Sequence, residues 1–422
     1  MTTFVLFGSF ILFLMMTIPI GVAIGLAVIL TAIQSENVSI TFFAQGLVTS
    51  TDNFALMAVP FFILAGEIMG KGGISRRLFD FVEVFVGRFT GGLAMAAVIV
   101  CMFFAAISGS GPATVAAVGG MMIPIMIERG YSARYATAVI ATAGSLGIII
   151  PPSIPLVLFG VSSGQSIGDL FMAGINPGIV LGLFMMVWAY ITSKKRGYKG
   201  TGEKFSWKRM LKGLNEAKWS LLVPVIILGG IYGGIFTPTE AAVVAVVYAL
   251  IVSLLLHREL SFNDLPKVIG DAALNSVVIL FIIGTANAFG TVLTMERIPQ
   301  AVANAFLSIS ENPTALLILI TILLLIVGCF MDTSAAVIIF TPILLPVALQ
   351  IGIDPIFFGA FMIVTLAIGF ITPPFGVNLF VGSGISGVSM PHLIKEMVPW
   401  IIVLILALIV IILVPEITLL WL

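Results

Sequence analysis

The sequence predicts an all-α polytopic membrane protein built as an inverted repeat, with two re-entrant hairpins and two broken helices. Three observations carry that expectation. The first is composition: 60% of the 422 residues are hydrophobic, 9% are charged and the mean hydropathy is +1.23, against about 25% charged in soluble domains. The second is a duplication. Between Gly109 and Pro177 each residue can be laid without a gap on the one 222 positions later, so that Pro124 falls on Pro346, Gly130 on Gly352, Gly147 on Gly369, Pro151-Pro152 on Pro373-Pro374, Gly160 on Gly382 and Pro177 on Pro399. Apolar coincidences are common in such a chain, but coincident prolines and glycines at one offset are not. The third is the Pro-Pro pair inside a long apolar segment of each copy. Such a break frees backbone groups that lipid cannot satisfy, so it persists only against protein or a water-filled cavity.

Taken in order, residues 4–33 form an apolar run containing Pro19, readable as one kinked span or as two short ones. The first Lys is Lys71, so the start lacks the basic region of a cleaved signal peptide and is expected to be a retained span. A polar stretch from Gln34 to Asn53 leads to a span at 54–70. At 75–88, Leu78, Phe81, Val82, Phe85 and Phe89 recur at helical spacing, with Arg76, Arg77, Asp80, Glu83 and Arg88 elsewhere. That pattern predicts an amphipathic helix in the cytoplasmic interface. The runs 91–107 and 113–127 fall short of the roughly 20 residues of a full crossing. Joined by Ser108-Gly-Ser-Gly-Pro112, they predict a re-entrant hairpin over about 92–128, its base marked cytoplasmic by Arg88, Arg129 and Arg134. A broken helix at about 135–164 and a span at 176–193 complete a first repeat, 1–193.

Lys194 to Lys218 holds nine of the nineteen basic residues against Glu203 and Glu216, and reads as a cytoplasmic loop. The second repeat, 219–422, begins with a pair of spans, 219–235 and 239–256, turned at Phe236-Thr-Pro-Thr-Glu240. A crossing at 273–293, a weaker amphipathic arm at 298–309, a hairpin at about 313–350, a broken helix at about 354–387 and a last span at 397–414 follow. Five crossings separate the two hairpin bases, an odd number. The hairpins therefore enter from opposite faces, which makes the duplication inverted, and duplicated broken helices are where membrane transporters hold their ligands.

The candidate chemistry sits at those tips and breaks. Asp332 is the one charged residue between Glu311 and Asp354, and an ionisable group in an apolar run is a functional hypothesis by default. It can supply a carboxylate to Na⁺ or a proton, accept from a hydroxylated substrate, or cap a helix. Ser108, Gly109 and Ser110 occupy the matching tip. Hard cations take oxygen ligands, which turn carbonyls and those freed at the breaks can provide. The candidate cation set is therefore Ser108, Gly109, Ser110, Gly144, Gly147 and Ile150 in the first copy and Gly328, Asp332, Gly369 and Thr372 in the second. Ser153 and Asn378 lie just beyond the breaks. No Lys or Arg lies in either broken segment, so a substrate carboxylate has to be met by half-helix N-termini, hydroxyls and bound Na⁺. Glu67 and Glu240 are expected to be interface or cap residues, His392 a loop histidine, and Cys101 and Cys329 packing residues without a disulfide. Zero net charge points to no nucleic-acid partner, and the chain has neither a His-Glu-x-x-His motif nor paired aspartates for an intramembrane enzyme. A channel would need a continuous polar pore, whereas the polar residues cluster at two tips and two breaks.

These residues bring a family into view. Ala55-Leu-Met-Ala-Val-Pro-Phe-Phe62, Ala106-Ile-Ser-Gly-Ser-Gly-Pro-Ala-Thr114, Gly144-Ser-Leu-Gly-Ile-Ile-Ile-Pro-Pro-Ser153, Gly233-Gly-Ile-Phe-Thr-Pro-Thr-Glu-Ala241 and Ile371-Thr-Pro-Pro-Phe-Gly-Val-Asn-Leu379 make a chain that resembles, end to end, the large membrane subunit of TRAP (tripartite ATP-independent periplasmic) transporters. The resemblance implies an elevator-type importer in the bacterial inner membrane, driven by Na⁺. It also implies a periplasmic substrate-binding protein and a small four-helix membrane subunit, expected here as a separate chain. Carried onto this sequence, it puts sodium at Ser108, Ser110 and the Gly144–Pro152 break, and at Asp332 with the Gly369–Thr372 break. Substrate contacts are implied at Ser108, Ser153, Asp332, Thr372 and Asn378. The Met331-Asp-Thr-Ser334 and Gly369-Phe-Ile-Thr-Pro-Pro-Phe-Gly376 versions resemble the sialic acid branch, with C4-dicarboxylates and sugar acids as the alternatives.

Overall fold

The computed structural model describes residues 2–34, 40–200, 202, 206–310, 312–374 and 376–422. Residues 35–39 of the polar stretch, Glu203, Lys204, Glu311 and Phe375 therefore lie outside the described residues. All regular structure within them is helical, as a membrane demands when every backbone amide and carbonyl has to be paired within its own segment. Among the described residues nine helices are long and apolar enough to cross a membrane.

The run 4–33 is two helices, α1 (Thr2–Met15) and α2 (Ile20–Gln34), packed on one another across the Thr17–Pro19 turn. At 14 and 15 residues neither reaches the roughly 20 of a full crossing. α3 (Ile40–Thr49) lies in the stretch expected to be merely polar. A single tight turn at Phe54–Met57 enters α4 (Ala58–Lys71), and α5 (Ile74–Val86) is the amphipathic arm. Its buried face is Ile74, Leu78, Phe79 and Val82, packed on α6 and α11, which leaves Phe85 and Phe89 exposed. The arm is thus held by protein on one side.

The first hairpin is α6 (Gly92–Ser108) and α7 (Gly111–Glu128). The first broken helix is α8 (Ala133–Gly144), a tight turn at Ser145–Ile148, an irregular Ile149–Ser153 and α9 (Ile154–Ser163). α10 (Ile167–Arg196) and α11 (Trp207–Tyr232) correct the expected loop at 194–218, since each carries its basic residues as helical turns. Lys and Arg are good helix formers, and their long stems let a helix run past the hydrocarbon while the charge stays wet.

α12 (Pro238–Leu250) starts on a reciprocal cap: Thr237 Oγ1 accepts from the Glu240 amide, and Glu240 accepts from the Thr237 amide at 2.8 Å. A wider turn at Ile251–Leu256 ends it. α13 (Leu265–Met295) and the second arm α14 (Ile298–Ile309) lead to the second hairpin, α15 (Pro313–Phe330) and α16 (Thr333–Gln350). The second broken helix is α17 (Pro355–Gly369) and α18 (Val377–Ser386), after which α19 (Met390–Leu413) and α20 (Glu416–Leu419) end the chain. α19 starts seven residues before the expected span at 397, because Pro391 fits the unpaired first turn of a helix. His392 accordingly sits in that first turn and not in a loop.

The duplication is visible in the packing. α9 of the first copy lies on α16 of the second while α18 lies on α7, and α10 lies on α17 while α19 lies on α8. Reciprocal contacts of this kind are the signature of a two-fold axis, which here relates two halves of one chain. The core around it is apolar and aromatic, with Phe159, Phe358 and Phe361 fully buried where the halves meet.

Candidate functional site

Each tip is turned by the residue that caps the returning helix. In the first copy Gly109 takes the left-handed conformation, φ +61°, and Ser110 is extended and caps α7. A Cβ on Gly109 would meet the Pro152 carbonyl oxygen at 2.8 Å, and the Gly109 carbonyl accepts from the Ile154 amide at 3.3 Å. Tip and break are therefore one structure. Around them three oxygens converge: Thr114 Oγ1 donates to the Ser110 carbonyl at 2.8 Å and lies 2.9 Å from Ser108 Oγ, which is 3.3 Å from the same carbonyl. Gly147 faces this cluster, since a Cβ there would stand 2.5 Å from the Ser110 carbonyl oxygen and 2.6 Å from Thr114 Oγ1. Thr114 was not among the expected site residues; the signal for it is its i, i+4 spacing from Ser110 on α7.

Asn378 belongs to the second copy but sits in the first. It is fully buried, and its Nδ2 donates to the Ala141 carbonyl of α8 at 3.2 Å. A Cβ on Gly111 would lie 3.1 Å from Asn378 Oδ1, and that oxygen has no partner among the described residues. A buried acceptor left unpaired costs about 1–3 kcal/mol, and beside an oxygen cluster it is a natural ligand for a cation or a polar substrate group. Ser153 is also fully buried, with Oγ donating to the Ile148 carbonyl at 2.6 Å and capping α9. It closes the break from within, which hides it from any cavity in this conformation. Gly144 and Ile150 lie in the wholly buried wall of the same break.

The second tip is built differently. Asp332 caps α16, accepting from the Ser334 amide at 2.8 Å, and the residue is exposed. Thr333 Oγ1 beside it is buried without a partner among the described residues. Gly328 and Gly369 bring α15 and α17 into backbone contact: a Cβ on Gly369 would lie 2.7 Å from Gly328 Cα. Thr372 Oγ1 donates to the Ile368 carbonyl at 2.7 Å, and no hydrogen bond among the described residues joins Asp332 to the 369–372 segment. The structure thus gathers Ser108, Gly109, Ser110, Gly144, Gly147 and Asn378 at one place, and Gly328 and Gly369 at another, with Asp332 at the rim of the second.

A cavity of about 330 Å³ lies between α9, α16 and α13, with Ser50, Ser162, Asn287, Thr291 and Thr294 as the polar part of a mostly apolar lining. None of the expected site residues lines it. The donor atoms at both tips are oxygens, and among the described residues no three His, Cys, Asp or Glu side chains cluster for a transition metal. Hard cations are the ligands that such oxygen-lined walls can hold.

Comparison with known proteins assigns this architecture. Residues 7–417 match the family described as "Tripartite ATP-independent periplasmic transporter, DctM component". An isethionate TRAP transporter permease protein, DctMQ, of Oleidesulfovibrio alaskensis is 48% identical over 413 residues, 98% of this chain and 65% of that protein, so the chain spans about two thirds of its length. A C4-dicarboxylate TRAP transporter large permease protein of Pseudomonas aeruginosa is 42% identical over 94% of this chain and 93% of its own. The sialic acid large permease protein SiaM of Vibrio cholerae is 37% identical over 95% and 94%. The solved YdaH transporter of Alcanivorax borkumensis superposes with a TM-score of 0.64 at 16% identity, covering 89% of this chain and 88% of that one, a likeness of fold. A multi-pass membrane permease and not an enzyme, the chain belongs to the DctM component family of tripartite ATP-independent periplasmic transporters.

Proposed function

We propose that this permease carries a small organic acid into the cell in symport with Na⁺, the acid being delivered by a periplasmic binding protein and the complex completed by a small membrane subunit. The observation that supports it best is the oxygen cluster at the first tip, where Ser108 Oγ, Thr114 Oγ1 and the Ser110 carbonyl lie within 3.3 Å of one another beside the unpaired Asn378 Oδ1. Such a set suits a hard cation. With Na⁺ bound there and at Asp332, the half-helix amides of α7, α9, α16 and α18 present a locally positive site to a carboxylate or sulfonate. Sodium then binds before substrate, and each raises the affinity of the other by the same factor.

Transport follows the elevator scheme: the hairpins and broken helices move as a body past α13 and the arms, and the cavity of mixed polar and apolar lining between α9, α16 and α13 lies on the boundary that such motion crosses. The relatives named above differ in substrate, so the substrate is assigned as an organic acid, with sialic acid set against isethionate and C4-dicarboxylates. The test is reconstitution with a small subunit and candidate binding proteins, followed by uptake of each labelled acid in Na⁺ and in K⁺. Uptake of one acid in Na⁺ alone is expected. Equal uptake in both salts removes the coupling, and uptake without any binding protein removes the delivery step.

A further inference from the structure

We propose that the face between α10 and α19 binds an anionic phospholipid of the cytoplasmic leaflet, chains in an apolar groove and headgroup in a basic cleft at the groove's end. The groove, about 490 Å³, is lined by Leu183, Phe184, Val187, Trp188, Pro399 and Ile402 among others. Apolar surface is unremarkable in a membrane protein and says nothing alone. What distinguishes this one is where it leads. One turn beyond Ile191 on α10 stands Lys195, and one turn before Pro399 on α19 stands Lys395. Past them opens a cleft of about 620 Å³ lined by Ser132, Arg134, Arg196, Ser389, His392 and Glu396.

The charges in that cleft do not cancel. Glu396 is occupied by Arg196, whereas Arg134 in the lining, and Lys195 and Lys395 beside it as chain neighbours of Arg196 and Glu396, are exposed and form no ion pair with any described residue. α8 and α19 both begin at the cleft, at Ser132 and Ser389, so their amide ends add to the positive field. α10 ends there in Lys194-Lys195-Arg196, which fixes the face as cytoplasmic. A helix from another protein would fill the groove and leave the cations unmet. One anionic phospholipid satisfies both, as basic clefts between transmembrane helices on this side do.

Native mass spectrometry of the delipidated full chain tests this with phosphatidylglycerol, phosphatidylcholine and inorganic phosphate as probes. Preferential retention of phosphatidylglycerol is expected. The triple variant Arg134→Gln/Lys195→Gln/Lys395→Gln should weaken it roughly a hundredfold, since each surface cation contributes about 1 kcal/mol toward an anionic lipid. The control triple Lys199→Gln/Lys208→Gln/Lys212→Gln should leave it unchanged. All six residues sit on the surface, and melting without lipid checks that both variants fold. Equal loss in the two triples, no preference over phosphatidylcholine, or tight binding of inorganic phosphate alone each overturns the assignment. So does a Val187→Cys variant that cross-links to another protein chain in membranes instead of to a photoactivatable lipid.

Discussion

The two copies share the Pro-Pro break and the glycines and prolines around it but not the chemistry of their tips. At equivalent positions Ser108, Ser110 and Thr114 of the first tip are replaced by Phe330, Asp332 and Ala336 in the second. The first tip is a closed net of hydroxyls and carbonyls, buried between α4 and the break. The second is one exposed carboxylate over a glycine-on-glycine crossing. Their rims differ in the same sense. Around the first arm Arg77 pairs with Glu259 at 2.7 Å, Arg129 with Glu83 at 2.9 Å and Lys71 with Asp271 at 2.9 Å, while α14 has no ion pair among the described residues. Side-chain divergence on a shared backbone left one tip a net of hydroxyls and carbonyls, the other a single carboxyl group.

The largest effect that separates the copies is expected at the glycines. Gly369→Ala puts a methyl against the backbone of Gly328, which no side-chain rotation relieves. Overpacking of this kind costs about 1–3 kcal/mol, and at a crossing inside the body that carries the second site it should abolish uptake. Gly147→Ala meets Thr114 Oγ1 as well as a carbonyl, so Gly147→Ala/Thr114→Ala should recover part of the activity. Melting curves and uptake of the three variants decide it. Recovery in neither measure would mean that the hydroxyl net does not define the first site.

The next effect contrasts the equivalent capping residues. Asp332→Asn removes a charge, and Asp332→Ala removes the ligand and the cap together, at about 1 kcal/mol for the cap. Both should raise the sodium concentration for half-maximal uptake about tenfold or more, the effect of about 1.4 kcal/mol of lost binding. Ser110→Ala should change it only a few-fold, because the Ser110 group held in the cluster is its carbonyl and its hydroxyl makes a long 3.5 Å cap. Unchanged sodium dependence in all three folded variants would sink both cation assignments.

How much of this was readable in the sequence depends on what a residue type can announce. Both hairpins and both breaks were legible almost to the residue, because Pro151-Pro152, Pro373-Pro374, Gly109 at the first tip and the capping Asp332 at the second act through backbone geometry that any context must respect. The arm at 298–309 was legible from periodicity. α3 was not, because its apolar residues are interrupted by Thr41, Gln45 and Thr49 and look like a loop. The seating of Asn378 in the other copy was not legible either, since a contact across 237 positions leaves no trace in local pattern. It also supplies the third test. Asn378→Leu loses one hydrogen bond but also removes an orphaned oxygen, so stability should move by no more than about 1 kcal/mol, while sodium-dependent binding falls severalfold. A variant that melts far earlier yet binds normally would make Asn378 a structural link.

The smallest effect concerns the clamp. His257, just past the end of α12, lies against the first arm, its Nδ1 3.2 Å from the Gly72 carbonyl and its Nε2 buried without a partner among the described residues. Burial holds its pKa below the ordinary histidine value, and the nearby Arg77 pushes the same way, against the Gly72 carbonyl and Glu259, which favour the charged ring. A histidine depressed in the folded state stays neutral there while the unfolded chain takes up a proton. Its contribution is therefore fully present above the ordinary value of about 6.5 and is lost as pH falls through the folded value. The second arm, α14, has no histidine in or against it that would titrate in this way. Lowering pH from 7 to 5 should accordingly reduce amide-exchange protection in α5 and leave α14 unchanged, and His257→Gln should abolish the difference. Arg77→Gln, by removing one repulsive charge, should move the transition toward higher pH. Loss of protection in both arms together would mean that the clamp is not what distinguishes the two halves.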